Sequence, residues 1–188
     1  MAGTRVVVVC PECKVYWDRA GQAPKCEDAS HVHQNFEVHR HRTAVVLPDG
    51  TTVTAVSFDP GDPYGREQRP DYGLYLDGRW QPPWPHDHVG WPDFGVPEEK
   101  TAIMTALRSL LARARTGQRV EVGCLGGHGR TGTAVACLAV LTGCPAGEAV
   151  AWVREHYCTS AVETPEQEAF VTRFAQLAIR LPRRLRGV

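Results

Sequence analysis

The sequence predicts an α/β fold, a mixed sheet flanked by helices, with a small β module ahead of it. Three observations lead there. Short apolar runs alternate with longer stretches of helical spacing, so strands and helices share one core. A glycine-rich turn, Gly126-Gly127-His128-Gly129, joins one such run to a proline-free stretch rich in Ala, Val and Leu, which reads as a strand turning into a buried helix. Residues 1–42 are rich in charge and hold Cys10, Cys13, Cys26 and the histidines His31, His33, His39 and His41. They form a separate module, and residues 43–188 the main domain. A chain of 188 residues suits one compact domain with such an appendage.

The elements follow in order. From Asn35, Phe36 and Val38 alternate with polar residues, a strand of the first module. Residues 43–47 and 51–58 read as strands joined by the tight turn Pro48-Asp49-Gly50. Residues 59–71, with closely spaced prolines and glycines, are a loop. Residues 73–77 are a strand, and 80–88 an aromatic, proline-rich loop. Ile103, Leu107, Leu110 and Leu111 lie at helical spacing behind Pro97, which predicts an amphipathic helix over 97–115. Residues 119–123 carry buried-strand residues Val120 and Val122, and 131–141 the buried helix. Helices over 145–157 and 164–181 close the chain.

Two stretches carry chemistry. The first is Cys124-Leu125-Gly126-Gly127-His128-Gly129-Arg130-Thr131-Gly132. Glycines let a loop curl so that its N–H groups point at an anion. The helix start adds partial positive charge at the same spot. That setting and a nearby cation stabilise a thiolate at Cys124. Arg130 supplies the cation and a planar fork that matches two phosphate oxygens. The second stretch, Trp91-Pro92-Asp93-Phe94-Gly95-Val96-Pro97, can bring a carboxylic acid to a leaving oxygen. Its prolines and glycine suit a loop that closes and expels water. Asp87, between His86 and His88, is a weaker rival acid.

These two motifs resemble those of the cysteine-dependent phosphatases, the tyrosine and dual-specificity family. The signature there is His-Cys-x5-Arg-Ser/Thr; Cys124, Gly127, Gly129, Arg130, Thr131 and Gly132 match it. Trp-Pro-Asp-x-Gly-x-Pro matches the mobile acid loop, with Asp93 lying 31 residues before Cys124. The resemblance covers roughly residues 43–181. It implies a cysteine phosphatase-like sandwich and hydrolysis of phosphomonoesters through a phosphocysteine. Cys124 is then the nucleophile and Asp93 the general acid. Leu125, Gly126, Gly127, His128, Gly129 and Arg130 form the phosphate cradle, and the Thr131 hydroxyl assists the departing sulfur. Gln167 matches the family's water-positioning glutamine, and equally completes a capping box with Thr164. One departure matters: the family's histidine before the nucleophile, which orders the loop and tunes the thiolate, is here Gly123.

In the first module, Cys-x2-Cys-x12-Cys-x4-His, made by Cys10, Cys13, Cys26 and His31, has the ligand types and spacing of a tetrahedral zinc site. His33 is the alternative fourth ligand. Such a metal would supply the folding energy that a missing core cannot. The spacing favours structural zinc over a redox dithiol. The phosphatase chemistry itself requires no metal.

Formal net charge is zero, so no bulk attraction to nucleic acid or membrane is indicated. No stretch reads as a signal peptide or membrane span. With 7 cysteines, one of them needed reduced, a cytoplasmic setting follows. Cys137, Cys144 and Cys158 read as small buried hydrophobes. Local basic patches, His39 to Arg42 and Arg180 to Arg186, keep a nucleic-acid partner open. The resemblance implies a phosphorylated protein substrate. An enzyme acting on RNA 5′-phosphates and a phosphate-binding pseudoenzyme are the rival readings. Inositol-lipid phosphatases of the family place lysines in the loop, and Leu125 to His128 offer none.

Overall fold

A three-stranded antiparallel sheet occupies the first of two units, Met1–Arg40. The computed structural model describes residues 5–13, 15–18, 25–38, 40–59 and 62–180. Strand β1 (Arg5–Cys10) lies between β2 (Val15–Asp18) and β3 (Gln34–Val38). Register pairs Val8 with Trp17 and Val7 with Phe36. The core described in this unit is small: Val8, Cys10 and Cys26, with Val15 packed against them.

The second unit, His41–Val188, is built on a five-stranded mixed sheet. Its strands are β4 (Arg42–Val46), β5 (Thr52–Ser57), β6 (Tyr72–Tyr75), β7 (His86–His88) and β8 (Val120–Cys124). The order is β4-β5-β8-β6-β7, antiparallel only at β4–β5. The hairpin β4–β5 closes at Pro48-Asp49-Gly50, where Gly50 takes φ +84°. Strand β8 is central, as its unbroken burial requires. Its C-terminal end presents Cys124 at the edge of the sheet where ligands of α/β folds gather.

Alternation divides the sheet's two faces. Val53, Ala55, Leu74, Val120 and Val122 join one core with the helices. These are α1 (Lys100–Arg115), α2 (Gly129–Leu141), α3 (Ala149–His156) and α4 (Pro165–Arg180). Helix α2 is buried from Gly129 to Ala139 and packs against α1, α3 and α4. Its sequence is apolar all round for that reason. On the other face, Val56 and Tyr75 meet Trp80 and Trp84 from the connecting loop. The buried Glu121 of β8 belongs to this second cluster. It accepts two bonds from Arg66, both 3.0 Å, and one from the Tyr75 hydroxyl at 2.6 Å. Burial and that carboxylate push the Tyr75 phenol upward, so it stays a donor.

Three expectations are corrected. Residues 80–88 are not all loop, since β7 pairs in parallel with β6 as an edge strand. Three polar residues among prolines give no period to read. The helix expected from residue 97 begins at Lys100, because Glu99, in extended backbone, is its N-cap. The helix expected over 145–157 is α3, shorter at its start. Residues 146–148 form a turn instead, in which the Glu148 N–H donates to the Pro145 carbonyl at 2.9 Å. Of the basic patches, His39 and residues 181–186 lie outside the described residues. No described helix is long and apolar enough to cross a membrane.

Candidate active site

The turn from β8 into α2 wraps around the Cys124 sulfur. The Gly127 N–H donates to Sγ at 3.3 Å and the Thr131 hydroxyl at 3.0 Å. Gly127 takes φ +80°, a conformation that L side chains rarely adopt. Gly132 is required for a different reason: a Cβ there would stand 2.7 Å from that of Ala161. Helix α2 has no side-chain cap at its start. The helix start and the loop bring their N–H groups to one place, where partial positive charge favours an anion.

Arg130 is fixed before any substrate arrives. Nη1 donates to the carbonyls of Leu76 at 3.1 Å and Trp91 at 3.3 Å. Nη2 pairs with Asp77 at 3.1 Å and with Asp93 at 3.0 Å. Burial alone would weaken its hold on the proton, but Cys124, Asp93 and Asp77 more than offset it, so the guanidinium is held above its usual range. Asp77 was not singled out by sequence. It is a buried carboxylate that follows β6 and also pairs with Arg79 Nε at 3.1 Å. The signal was an acid directly after an apolar strand, Tyr75-Leu76-Asp77.

The loop bearing Asp93 is latched over this cradle. The Trp91 indole donates to the Gly95 carbonyl at 2.8 Å, and its ring packs edge-on against Phe170. Phe94 is left-handed, φ +57°, which costs a bulky residue about 1–3 kcal/mol. Two contacts from the start of α4 hold that shape. The Thr164 hydroxyl donates to the Phe94 carbonyl and the Gln167 Nε2 to the Gly95 carbonyl, both at 3.2 Å. Asp87 lies elsewhere, on β7, where its carboxylate accepts the Tyr72 hydroxyl. That bond ties it to the sheet edge.

Gln167 is fully buried. Its N–H donates to the Thr164 hydroxyl at 3.2 Å, and its Oε1 accepts from the Glu163 N–H at 2.8 Å. It therefore caps the helix and touches the acid loop at once. Glu163 is a further group the sequence did not mark. The residue is exposed as a whole, but its carboxyl lies against Gly129. Burial of the carboxyl and the neighbouring Asp93 push it up to about 7, so near neutrality it holds a proton part of the time. Leu125 and Gly126 are half-buried, and the rest of the cradle is buried. The His128 side chain turns to His41, their Nε2 atoms 3.0 Å apart.

In the first unit, four ligand-type atoms converge. The Cys13 and Cys26 sulfurs are 3.7 Å apart, and His31 Nδ1 stands 3.4, 3.3 and 3.4 Å from the sulfurs of Cys10, Cys13 and Cys26. Zinc bonds of about 2.3 Å to sulfur and 2.0–2.1 Å to nitrogen give tetrahedral edges of about 3.6–3.8 Å. The sulfur pair has that size, and the His31 nitrogen stands slightly closer to the three sulfurs than such an edge. Crowding pushes the Cys13 thiol up to about 12, first through its bond with Cys26, then by burial and Cys10. Among the described residues His31, not His33, completes this group.

Residues 93–171 match the sequence model of PTP-SAK, described as "Swiss Army Knife protein, DSP-PTPase phosphatase domain". An uncharacterized protein of Methanocaldococcus jannaschii is 35% identical over 134 residues, 65% of this chain and 87% of that one. A second uncharacterized protein of that organism is 38% identical over 92 residues, 48% of this chain and 55% of its own. Among solved structures, Tk-PTP in its active form superposes with a TM-score of 0.59 at 24% identity, covering 70% of this chain and 96% of that one. Kinase associated phosphatase carrying serine for its catalytic cysteine superposes at 0.61 and 13%, covering 77% and 98%. These two structures share the fold of the second unit's sheet and helices.

Proposed function

The chain belongs to the cysteine-dependent tyrosine and dual-specificity phosphatase family, and from that premise we propose that it hydrolyses phosphomonoesters through a phosphocysteine, on phosphorylated protein. One observation carries the reading: a buried Cys124 sulfur receives two hydrogen bonds at a loop whose arginine is already fixed. Residues 41–188 are the phosphatase domain, two residues longer than the 43–188 expected from sequence, because Arg42 opens β4.

Phosphate binds in the loop and takes the Arg130 fork, displacing Asp93 from it. The sulfur of Cys124 attacks phosphorus, and the bond to the leaving oxygen breaks as Asp93 gives that oxygen its proton. Water then attacks the phosphocysteine and yields its proton to the Asp93 carboxylate. The sulfur departs as a thiolate, received by the Gly127 N–H and the Thr131 hydroxyl. Gln167, held against the acid loop, helps place the water. Turnover of phosphotyrosine peptide ahead of phosphoserine peptide and triphosphorylated RNA tests the substrate class. Preference for the RNA would replace this reading with the RNA 5′-phosphatase, and no turnover of any aryl phosphate with a pseudoenzyme.

Asp93→Ala should lower kcat by about 10²–10⁴-fold while sparing substrate affinity. The defect should shrink for a leaving group that is already acidic. Equal defects for good and poor leaving groups, measured across a series of aryl phosphates, would rule out the acid role.

We further propose that residues 1–40 are a zinc-binding ribbon. Cys10, Cys13, Cys26 and His31 hold one structural ion, which supports folding and takes no part in turnover. Elemental analysis should find about one zinc per chain, lost in Cys13→Ser. Chelation should destabilise this unit and leave the chemical step running. Metal that proves essential to that step in a folded protein would make it catalytic instead.

A further inference from the structure

The family's loop-ordering histidine has no room at position 123. A Cβ there would stand 2.5 Å from Val56 Cγ2, 2.9 Å from the Val56 carbonyl oxygen and 3.3 Å from Trp80 Cζ2. Trp80 cannot readily yield, since it is fully buried and stacks on Tyr75, ring centroids 4.5 Å apart and 8° from parallel. Glycine is what this strand can carry before the nucleophile.

A different histidine reaches the loop from 83 residues earlier in the chain. His41 is buried just ahead of β4. Its N–H donates to the Ser57 hydroxyl at 2.9 Å, and its carbonyl accepts the Ser57 N–H at 3.0 Å. With its backbone pinned, its ring lies against Gly127, where a Cβ would meet His41 Cδ2 at 2.8 Å. Its Nε2 is 3.0 Å from that of His128, so one ring's N–H donates to the other's lone pair. The Tyr157 ring packs on His41 at 4.9 Å, and the Tyr157 hydroxyl donates to the Gly127 carbonyl at 2.6 Å. Gly127 is thus held by its Cα, its carbonyl and the next residue's side chain. The N–H of this same glycine bonds the Cys124 sulfur.

We propose that His41, acting through His128 and Gly127, is the positioning residue of the phosphate loop, and takes over the ordering work of the histidine excluded from position 123. It rests on the phosphatase reading only for its consequence in turnover. The bond it aligns acts on the sulfur itself and can be followed without substrate. A hydrogen bond to the thiolate favours the charged form, so misaligning the donor moves thiolate reactivity to higher pH.

The test is the pH profile of Cys124 alkylation by iodoacetamide, resolved from the other cysteines by peptide mass spectrometry. His41→Phe fills the space without the nitrogen. It should move the midpoint up by about one unit and slow alkylation about tenfold on the acid side. His41→Gln, which can still bond His128, should recover most of that loss. Tyr157→Phe removes only the hydroxyl on Gly127 and should shift the profile the same way by less, a check that holds even where His41→Phe folds poorly. A lowered Tm in His41→Phe with an unmoved profile would mean plain packing and overturn the proposal. So would a metal: the Cys158 sulfur lies with both histidine nitrogens within 4.8 Å. Zinc that survives Cys13→Ser but is lost in His41→Phe would make the histidines ligands. A profile that responds to His41 in a protein that turns over no aryl phosphate would sink the enzyme reading and leave this one standing.

Discussion

Cys124→Ser should abolish turnover of an aryl phosphate, a loss on the order of 10⁴–10⁶-fold, while phosphate or vanadate still binds. A serine alkoxide is far harder to form than a thiolate. The cradle does not depend on the sulfur: the loop is held by Tyr157 and His41 at Gly127, and Arg130 by Asp77, Leu76 and Trp91. Stopped turnover with retained binding is therefore the signature to seek. Activity near the wild-type level in the serine variant would exclude the phosphocysteine.

The second large effect is expected at Arg130. Arg130→Lys keeps a charge but loses the fork, and should cost about 10²–10³-fold in kcat/KM. It should also destabilise the fold, because Asp77 would keep a buried carboxylate with a shorter and misdirected partner. Asp77→Asn gives a contrast. The arginine remains, but one of its anchors becomes neutral. Activity should fall by less, and the loss should appear mainly in substrate affinity as the guanidinium wanders. Equal kcat defects in Arg130→Lys and Asp77→Asn, with KM unchanged, would show that Asp77 does more than hold the arginine.

Much of this site is legible because its chemistry is contiguous. Nucleophile, amides, guanidinium and hydroxyl fall within eight residues, Cys124 to Thr131, and the strand and helix on either side announce themselves by apolar pattern. Cys10, Cys13, Cys26 and His31 are legible for a similar reason, since ligand spacing is local. The groups that were not marked arrive through the fold. Asp77 follows β6, which pairs with β8, and so comes beside Arg130 from 53 residues away. His41, read from sequence only as part of a basic patch in the first module, is brought beneath the loop by the β4–β5–β8 pairing. Glu163 is an ordinary acid until Gly129 and Asp93 stand next to it. No local rule ranks these above the other aspartates, glutamates and histidines. The same holds for β7, which exists because β6 offers it an edge.

The side chain facing Gly123 across the sheet also bears on how such a chain can change over generations. A Cβ at 123 would stand 2.5 Å from Val56 Cγ2, so a histidine becomes tolerable only after Val56 has shrunk and its backbone has drawn back. Shrinking Val56 first opens a void beside Tyr75 and Trp80, at about 1–3 kcal/mol. Adding the histidine first overpacks the strand, at about 1–3 kcal/mol or more. Against the usual 5–15 kcal/mol of total stability, either order passes through a poorer intermediate. The two positions therefore behave as one heritable unit, and a homologue with a smaller residue in place of Val56 is where a histidine before the nucleophile should be sought.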